Sequence, residues 1–354
     1  MMAELEKMNY QVIARTSFDT LSPWKNMRRC TVLDNGTVNY YLDSNDSTKK
    51  EDGSPANLTG VDGQVMVEIP KFWWKAELGT VESKRTFRWF ISDVAKEGFA
   101  VHPAFFRDRD GTGVAKEVDF RYFSVYMGYK NGTKLESRSG ITATATQTIG
   151  AFRTQAQARG NGWGLIDYNL VFAVQLLYLL EYGHFDSQTK IGRGYVDGNT
   201  GYTNTGSTNR YGNKSFGETT GKQQMSYRGI EDFYGNYYYW VDGIVSNAQF
   251  NVLVGNKGFN DAGTGYDLHV TENTANTSGY IGDMQDNESL GFLIKNTTGG
   301  SETSKLYDYG VLAASRVAGF GGFRSSGSYA GAFLLQLADA TSSSSAGISS
   351  RLAF

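Results

Sequence analysis

Cysteine, proline and histidine are scarce in this chain of 354 residues, and neither sign of charge dominates it. The single cysteine, Cys30, excludes an internal disulfide. The 34 basic side chains nearly balance the 36 acidic ones. No basic stripe stands out, which argues against a nucleic-acid partner. Residues 1–9 hold no apolar run of signal-peptide length, and no later run could cross a bilayer. We therefore expect no signal peptide and no membrane insertion.

Glycine and aromatic residues are abundant instead. The chain has 43 Gly, 22 Tyr, 21 Phe and 6 Trp. Tyrosine supplies rigid amphipathic contact area and glycine supplies loop geometry, a combination typical of adaptable recognition surfaces. Part of the aromatic content must form a core. The length fits one elaborated, loop-rich β domain as well as two average domains.

The local patterns predict many short strands around a helical middle. Alternating or apolar runs between turn residues predict strands at 12–14, 37–41, 64–68, 249–254, 267–270 and 292–293. We interpret residues 233–312 as a β-meander and expect residues 349–354 to pair back into the sheet. Residues 192–221 are rich in Gly, Asn, Thr and Ser, which favours a solvated surface insertion.

Two helices are predicted in the middle of the chain. Residues 148–159 have Ala and Gln at helical spacing before Gly160. Asp167 can cap a second helix that ends before Gly183. That helix has only a narrow polar face, so it must be buried against a sheet.

The C-terminal segment, residues 310–354, combines a scaffold of small and aliphatic residues with unrelated exposed side chains. Its successive elements are Arg316-Val317-Ala318, Gly321-Gly322, Gly327-Ser328-Tyr329-Ala330-Gly331, Leu335-Gln336-Leu337 and Arg351-Leu352. Glycines fix the turns and leave the other positions free for contact chemistry. The segment therefore predicts a binding surface.

These elements, in this order, resemble the variable region of retroelement-diversified proteins, which have a C-type lectin fold. The likeness extends upstream to Trp24, residues 62–75 and residues 228–236 with 240–243. It implies an α+β fold of the formylglycine-generating-enzyme-like type, strand-rich and loop-rich, with a helix pair on the outer side of the sheet. We divide the chain into an N-terminal strand-rich segment, 1–80, integral to or leading into a lectin-like domain, 81–354, whose variable region is 316–354.

The resemblance also implies the ligand-binding positions. In the family, diversified positions arise from asparagine codons mutated at adenine. The amino acids that such mutated codons can encode occur at Phe320, Phe323, Arg324, Ser325, Ser326, Tyr329, Leu334, Ala338 and Asp339. Gln336 does not fit, and we include it as a contact residue of other origin.

The implied function is non-enzymatic binding. The chain resembles a phage or prophage tail adhesin, carried on the virion and synthesised in the host cytoplasm, that recognises a host-surface protein or glycan. Other tail proteins would be its partners, and a homotrimer is plausible. Two alternatives stay open: a bacterial retroelement-diversified surface or effector-like binding protein, and a structural tail component without receptor binding.

The chain lacks the residues that the enzymatic and metal-binding alternatives require. Formylglycine-generating oxidases of the same broad fold need a pair of cysteines for copper, and this chain has one. The three histidines, His102, His184 and His269, lack the spacing of a zinc site. Residues 107–111 contain an Asp-x-Asp-Gly pattern without the downstream glutamate of a calcium loop. We interpret Glu231, Asp232 and Asp242 as structural carboxylates, and we predict no catalytic residue, metal or cofactor.

Overall fold

The computed structural model describes residues 2–6, 9–10, 18–81 and 84–354. These residues form a strand-rich α+β fold with few helices. The predicted strand at 12–14 lies outside the described residues. No helix within the described ranges is both long enough and apolar enough to span a bilayer.

Two sheets come mainly from the first half of the chain. Its strands are β1 Met2–Glu6, β2 Asn9–Tyr10, β3 Arg28–Val32, β4 Val38–Tyr41, β5 Gln64–Pro70, β6 Trp73–Val81, β7 Lys84–Ser92, β8 Ala100–Val101, β9 Phe106–Arg107, β10 Lys116–Glu117, β11 Phe120–Ser124, β12 Tyr129–Asn131, β13 Lys134–Glu136 and β14 Gly164–Leu165. The predicted strands at 37–41 and 64–68 correspond to β4 and β5, so they are confirmed. Strands β2-β1-β7-β6-β8 form one sheet.

The helices separate these strands from those of the second half. They are α1 Ile149–Gln157, α2 Tyr168–Tyr182 and α3 Ser187–Lys190. The later strands are β15 Ser226–Tyr227, β16 Ile230–Glu231, β17 Tyr238–Ser246, β18 Val252–Val254, β19 Asp267–His269, β20 Thr277–Tyr280, β21 Asp283–Met284, β22 Ile294–Asn296, β23 Tyr309–Leu312, β24 Val317–Phe320, β25 Leu335–Asp339, β26 Ile348–Ser349 and β27 Leu352–Ala353. Two predicted strands therefore match β18 and β19, whereas the one predicted at 292–293 is wrong, because β22 begins only at Ile294.

Both predicted helices form where their capping residues place them. The Thr148 side chain accepts a hydrogen bond from the Ala151 N–H at the start of α1. Asp167 accepts from the Leu170 N–H at the start of α2. Gly183 ends α2 in the left-handed conformation, with φ 60°. These side chains satisfy backbone groups that a helix end would otherwise leave unpaired.

The largest sheet has eight strands in the order β19-β18-β17-β24-β25-β23-β20 with β26 paired to β17. The predicted β-meander is confirmed for β17, β18 and β19, which pair consecutively and antiparallel, and is wrong for β20 to β23. Strands β24 and β25 from the C-terminal segment lie between β17 and β23, and β23 runs parallel to β25. Long-range pairing of the chain end thus builds the centre of the sheet.

The chain end also closes a second sheet, of order β14-β27-β11-β5-β3-β4. The prediction that residues 349–354 pair back is confirmed, since β26 pairs with β17 and β27 with β11 and β14. Arg351, between these two strands, is fully buried. Its guanidinium donates to the carbonyl oxygens of Ser124, at 3.0 Å, and Asp232, at 2.6 Å. The side chain thereby ties the chain end to two other segments.

The helices pack on opposite faces of the largest sheet. Residues of α2 share a hydrophobic cluster with Tyr239 of β17, whereas residues of α1 share another with Trp240. Consecutive strand residues point to opposite faces. The expected helix pair on one outer side is therefore wrong.

Candidate binding face at the C-terminal segment

The outward face of the largest sheet follows from strand alternation. In β24 and β25, Phe320, Leu335 and Leu337 point into the main hydrophobic cluster. Their neighbours Gly319 and Gln336 are paired with one another and point the opposite way. Alternation and register place further residues on this same side: Tyr238, Tyr309, Val311, Ser278 and Tyr280. We call this surface, together with Phe323 and Tyr329, the C-terminal face.

Three tyrosines form a cluster on one side of the C-terminal face. The Tyr329 ring centroid lies 4.5 Å from that of Tyr309 and 5.3 Å from that of Tyr280. Tyr329 is 46% exposed. The Tyr280 hydroxyl is 2.7 Å from Ser328 Oγ, and the Tyr309 hydroxyl is 3.1 Å from Ser278 Oγ. The rings thus hold one another in place while their edges and hydroxyl groups stay available at the surface.

A second aromatic pair lies on the other side of the face. The rings of Phe323 and Tyr238 stack with centroids 5.7 Å apart. Burial raises the pKa of Tyr238 above its ordinary value. Ser326 orders the turn between the two aromatic groups. Its Oγ accepts a hydrogen bond from the Phe323 N–H at 2.9 Å, and its carbonyl accepts one from the Tyr329 N–H at 3.1 Å.

Arg324 connects this turn to the insertion at 192–221. Its N–H donates to the Asn236 carbonyl, and its own carbonyl accepts from the Asn199 N–H. The guanidinium donates to the Asn199 carbonyl and lies 5.0 Å from the Tyr202 ring centroid. The insertion is therefore an ordered support of the C-terminal face, and the prediction of a merely solvated loop is wrong.

The remaining predicted positions differ in accessibility. Ser325 is exposed, and Gln336, Ala338 and Asp339 are half-buried. Gln336 Nε2 lies 3.4 Å from Asp339 Oδ2. Burial raises the pKa of Asp339, although neighbouring Arg316 opposes that shift. These side chains form a polar strip beside the aromatic groups.

Three predicted contact residues are buried, which corrects their assignment to the surface. Phe320 is 0% exposed and packs against Phe233 and Tyr239. Leu334 is 1% exposed. Ser326 is 8% exposed and holds the turn described above. Phe320 and Leu334 belong to the packing beneath the C-terminal face because they offer no surface to a ligand.

Close backbone packing supports the loop between β24 and β25. Gly322 has φ +85°, and a Cβ there would lie 2.7 Å from that of Ala330. Asp308 is buried, and its Oδ2 accepts a hydrogen bond from the Phe333 N–H at 2.7 Å. A Cβ on Gly331 would overlap that carboxylate. The loop is therefore fixed by glycine and one buried acid rather than by a disulfide.

Composition and motif order do not identify Tyr238, Tyr280 and Tyr309 as part of this surface. For Tyr238, the alternation with Tyr239 and Trp240 along the strand predicts which side of the sheet it faces. The positions of Tyr280 and Tyr309 depend on the pairing of β20 with β23 and of β23 with β25. Such pairings between distant segments are invisible to local pattern.

The histidine and carboxylates with potential metal-binding or catalytic chemistry lie in buried networks. His102 is surrounded by aromatic rings, and burial lowers its pKa to about 3. The Glu231 carboxylate accepts hydrogen bonds from the N–H groups of Gly206 and Thr208. Arg153 binds both oxygens of Asp242. Glu231 thus accepts backbone hydrogen bonds, as expected for a structural carboxylate, whereas Asp242 pairs with an arginine side chain. In the described part of the chain, no group of three or more His, Cys, Asp and Glu side chains is placed to hold a metal ion.

Comparison with known proteins gives no assignment: no family model and no curated protein matches the chain.

Proposed function

We propose that the C-terminal face is a binding surface and that the chain is a non-enzymatic, retroelement-diversified protein with a C-type lectin fold. The motif order of residues 316–354 supports the family assignment. The strand-rich α+β architecture is compatible with the lectin fold. Strands β24 and β25, which carry the predicted variable positions together with the loop between them, lie at the centre of the largest sheet.

One observation carries this proposal: the Tyr280, Tyr309 and Tyr329 cluster projects from the sheet side opposite the main core. Large aromatic side chains grouped at a surface, beside polar residues, mark interaction sites more often than isolated apolar residues do. Tyrosine contributes contact area at low entropic cost and keeps a hydroxyl group for hydrogen bonding. The cluster therefore has the chemistry of a recognition surface.

The proposed mechanism is surface complementarity. Tyr329 and Phe323 provide apolar area at the centre of the contact, and Ser325, Gln336 and Asp339 provide polar contacts around it. Arg324 has a positioning role, since its guanidinium is held by the insertion. The buried Phe320 and Leu334 support the surface without touching the ligand.

The biological role that fits this mechanism is host attachment by a phage or prophage tail. The ligand is a host-surface protein or glycan, and other tail proteins hold the adhesin on the virion. Repeated copies, as in a homotrimer, raise avidity when single contacts are weak.

The proposal also includes that the single cysteine has no catalytic or metal-binding role. Cys30 lies in β3 and is fully buried. Burial and the neighbouring Glu68 raise the pKa of its thiol well above the usual range. A thiol in this state is a poor nucleophile and a poor metal ligand, because both roles require the thiolate.

Binding to a panel of bacterial cells tests this role and separates the two ligand classes. Purified protein is added to untreated cells, to cells treated with a protease and to cells treated with periodate, which oxidises glycans. Saturable binding to some strains, lost after one of the treatments, supports the proposal and identifies the ligand class. Binding to no strain, or equal non-saturable binding to all of them, overturns it.

A further inference from the structure

A cavity of about 440 Å³ lies between α1, β14 and the loop that follows β18, and none of its lining residues belongs to the C-terminal face. Its wall includes Arg107, Arg153, Trp163, Asp242, Lys257 and Phe259. Five further lining positions are glycines, which keep the space open because they carry no side chain. The volume is in the range of small-molecule sites.

Arg107 is a buried cation in this wall with few acceptors. Its side chain is 7% exposed. The nearest carboxylate is Asp167, whose Oδ2 lies 3.8 Å from the Arg107 guanidinium but only 2.6 Å from that of Arg121. A carbonyl oxygen, that of Asn256, lies 3.5 Å away, and Arg107 Nε has no hydrogen-bond partner among the described residues. A guanidinium has five N–H donors, so most of this group's capacity is unused.

Arg153, in the same wall, is an arginine whose guanidinium is fully paired. Its Nε and one terminal nitrogen bind the Asp242 carboxylate, at 2.8 and 2.6 Å, and the other terminal nitrogen lies 2.7 Å from Asp261. Burying a charge is costly unless it is paired and hydrogen-bonded. By contrast, Arg107 only shares a carboxylate, that of Asp167, which lies closer to Arg121.

The two carboxylates in the cavity wall, Asp108 and Asp242, have other partners. The Asp108 carboxylate accepts hydrogen bonds from the backbone N–H groups of Thr112 and Gly113, at 3.0 and 2.8 Å. Lys257 is exposed at the cavity and adds positive charge, and its ammonium group donates one hydrogen bond, to the Gly113 carbonyl at 3.0 Å. The Phe259 ring lies 5.0 Å from the Arg107 guanidinium and holds its orientation. The wall therefore presents an oriented, buried fork of donors and an accessible ammonium group.

We propose that this cavity binds a small organic anion through a carboxylate group, held by Arg107 and attracted by Lys257. Arginine pairs with carboxylates through two parallel hydrogen bonds, which a lysine cannot reproduce. The site is independent of the C-terminal face and of the host-attachment proposal.

Calorimetric titration with succinate tests the site, with succinamide as the neutral analogue of the same shape. We expect saturable binding of one succinate per chain and none of succinamide. Arg107→Lys should weaken binding by roughly tenfold or more, because the fork is lost. Lys257→Met should weaken it by roughly threefold to tenfold, whereas the exposed control Lys130→Met and the face variant Tyr329→Ala should leave it unchanged.

The proposal is overturned if the wild type binds no succinate or binds succinamide equally well. It is also overturned if folded Arg107→Lys keeps the wild-type affinity. Should Arg107→Lys fail to fold, Lys257→Met decides, because its side chain is exposed and its replacement leaves the core intact. Wild-type affinity in that variant then contradicts the proposal.

Discussion

The carboxyl group of Asp308 occupies the space that a side chain at Gly331 would need, and one of its oxygens accepts a hydrogen bond from the nearby Phe333 N–H. This relationship joins the segment before β23 to the loop that precedes β25. Since Tyr309 in β23 and Tyr329 in that loop are in contact, the buried acid holds together two parts of the C-terminal face.

Gly331→Ala should destabilise the protein by about 1–3 kcal/mol, because the new methyl group overlaps the Asp308 carboxylate. The matched control is Gly201→Ala, since a Cβ on Gly201 has no neighbour within 4 Å. Urea unfolding followed by tyrosine and tryptophan fluorescence measures both. Equal stability of the two variants would contradict the close approach described above.

Asp308 should make stability depend on pH. Burial raises the pKa of its carboxyl well above the ordinary value of 3.8, so the folded state retains a proton that the unfolded state releases. Its contribution is therefore full below the ordinary pKa and declines as pH rises towards the folded value, by up to about 1.4 kcal/mol per pH unit.

Asp308→Asn keeps an oxygen for the Phe333 N–H and removes the titration. The free energy of unfolding of the wild type, relative to this variant, should therefore fall as pH increases above 4. Urea unfolding at several pH values measures it. Parallel pH profiles for the two proteins would show that Asp308 does not titrate in this way.

Phe320 and Tyr329 should respond differently to truncation, although the motif order places both at the surface. Phe320→Ala should cost about 3–5 kcal/mol of stability, because it leaves a cavity in the main cluster. Tyr329→Ala should cost about 1 kcal/mol, since the ring is 46% exposed and loses mainly its aromatic neighbours. Similar losses in the two variants, measured by urea unfolding, would contradict the assignment of Phe320 to the core.

Arg351→Met should destabilise the protein by at least about 2 kcal/mol. The carbonyl groups of Ser124 and Asp232 lose a charged donor and stay buried. Arg210→Met, at an exposed position, is the control. Thermal unfolding compares them, and a variant at position 351 as stable as the control would refute the anchoring role.

The sequence predicts those features of the fold that depend on neighbouring residues, such as the ends of the helices. Thr148, Asp167 and Gly183 mark their helix ends because capping depends on a few neighbouring residues. The burial of Phe320 also follows from strand alternation, because Phe320 points to the same side of β24 as the small apolar Ala318. Motif order, however, treats each position as exposed.

Long-range relationships could not be predicted in this way. The order β24-β25-β23-β20 sets which tyrosines share a surface, and it joins segments that are distant in the chain. The under-satisfied Arg107 also depends on three-dimensional packing. In the sequence it is one member of a charged turn, and only the structure shows that it shares the Asp167 carboxylate with Arg121.

Recognition by the C-terminal face is tested by comparing the binding of three proteins to a bacterial strain that the wild type binds. They are the wild type, the double variant Phe323→Ala with Tyr329→Ala, and Phe120→Ala, a control at an exposed aromatic in a different sheet. With all three shown to be folded, we predict a loss of affinity of about tenfold or more for the double variant and none for the control. Wild-type affinity in the double variant would contradict recognition by the C-terminal face.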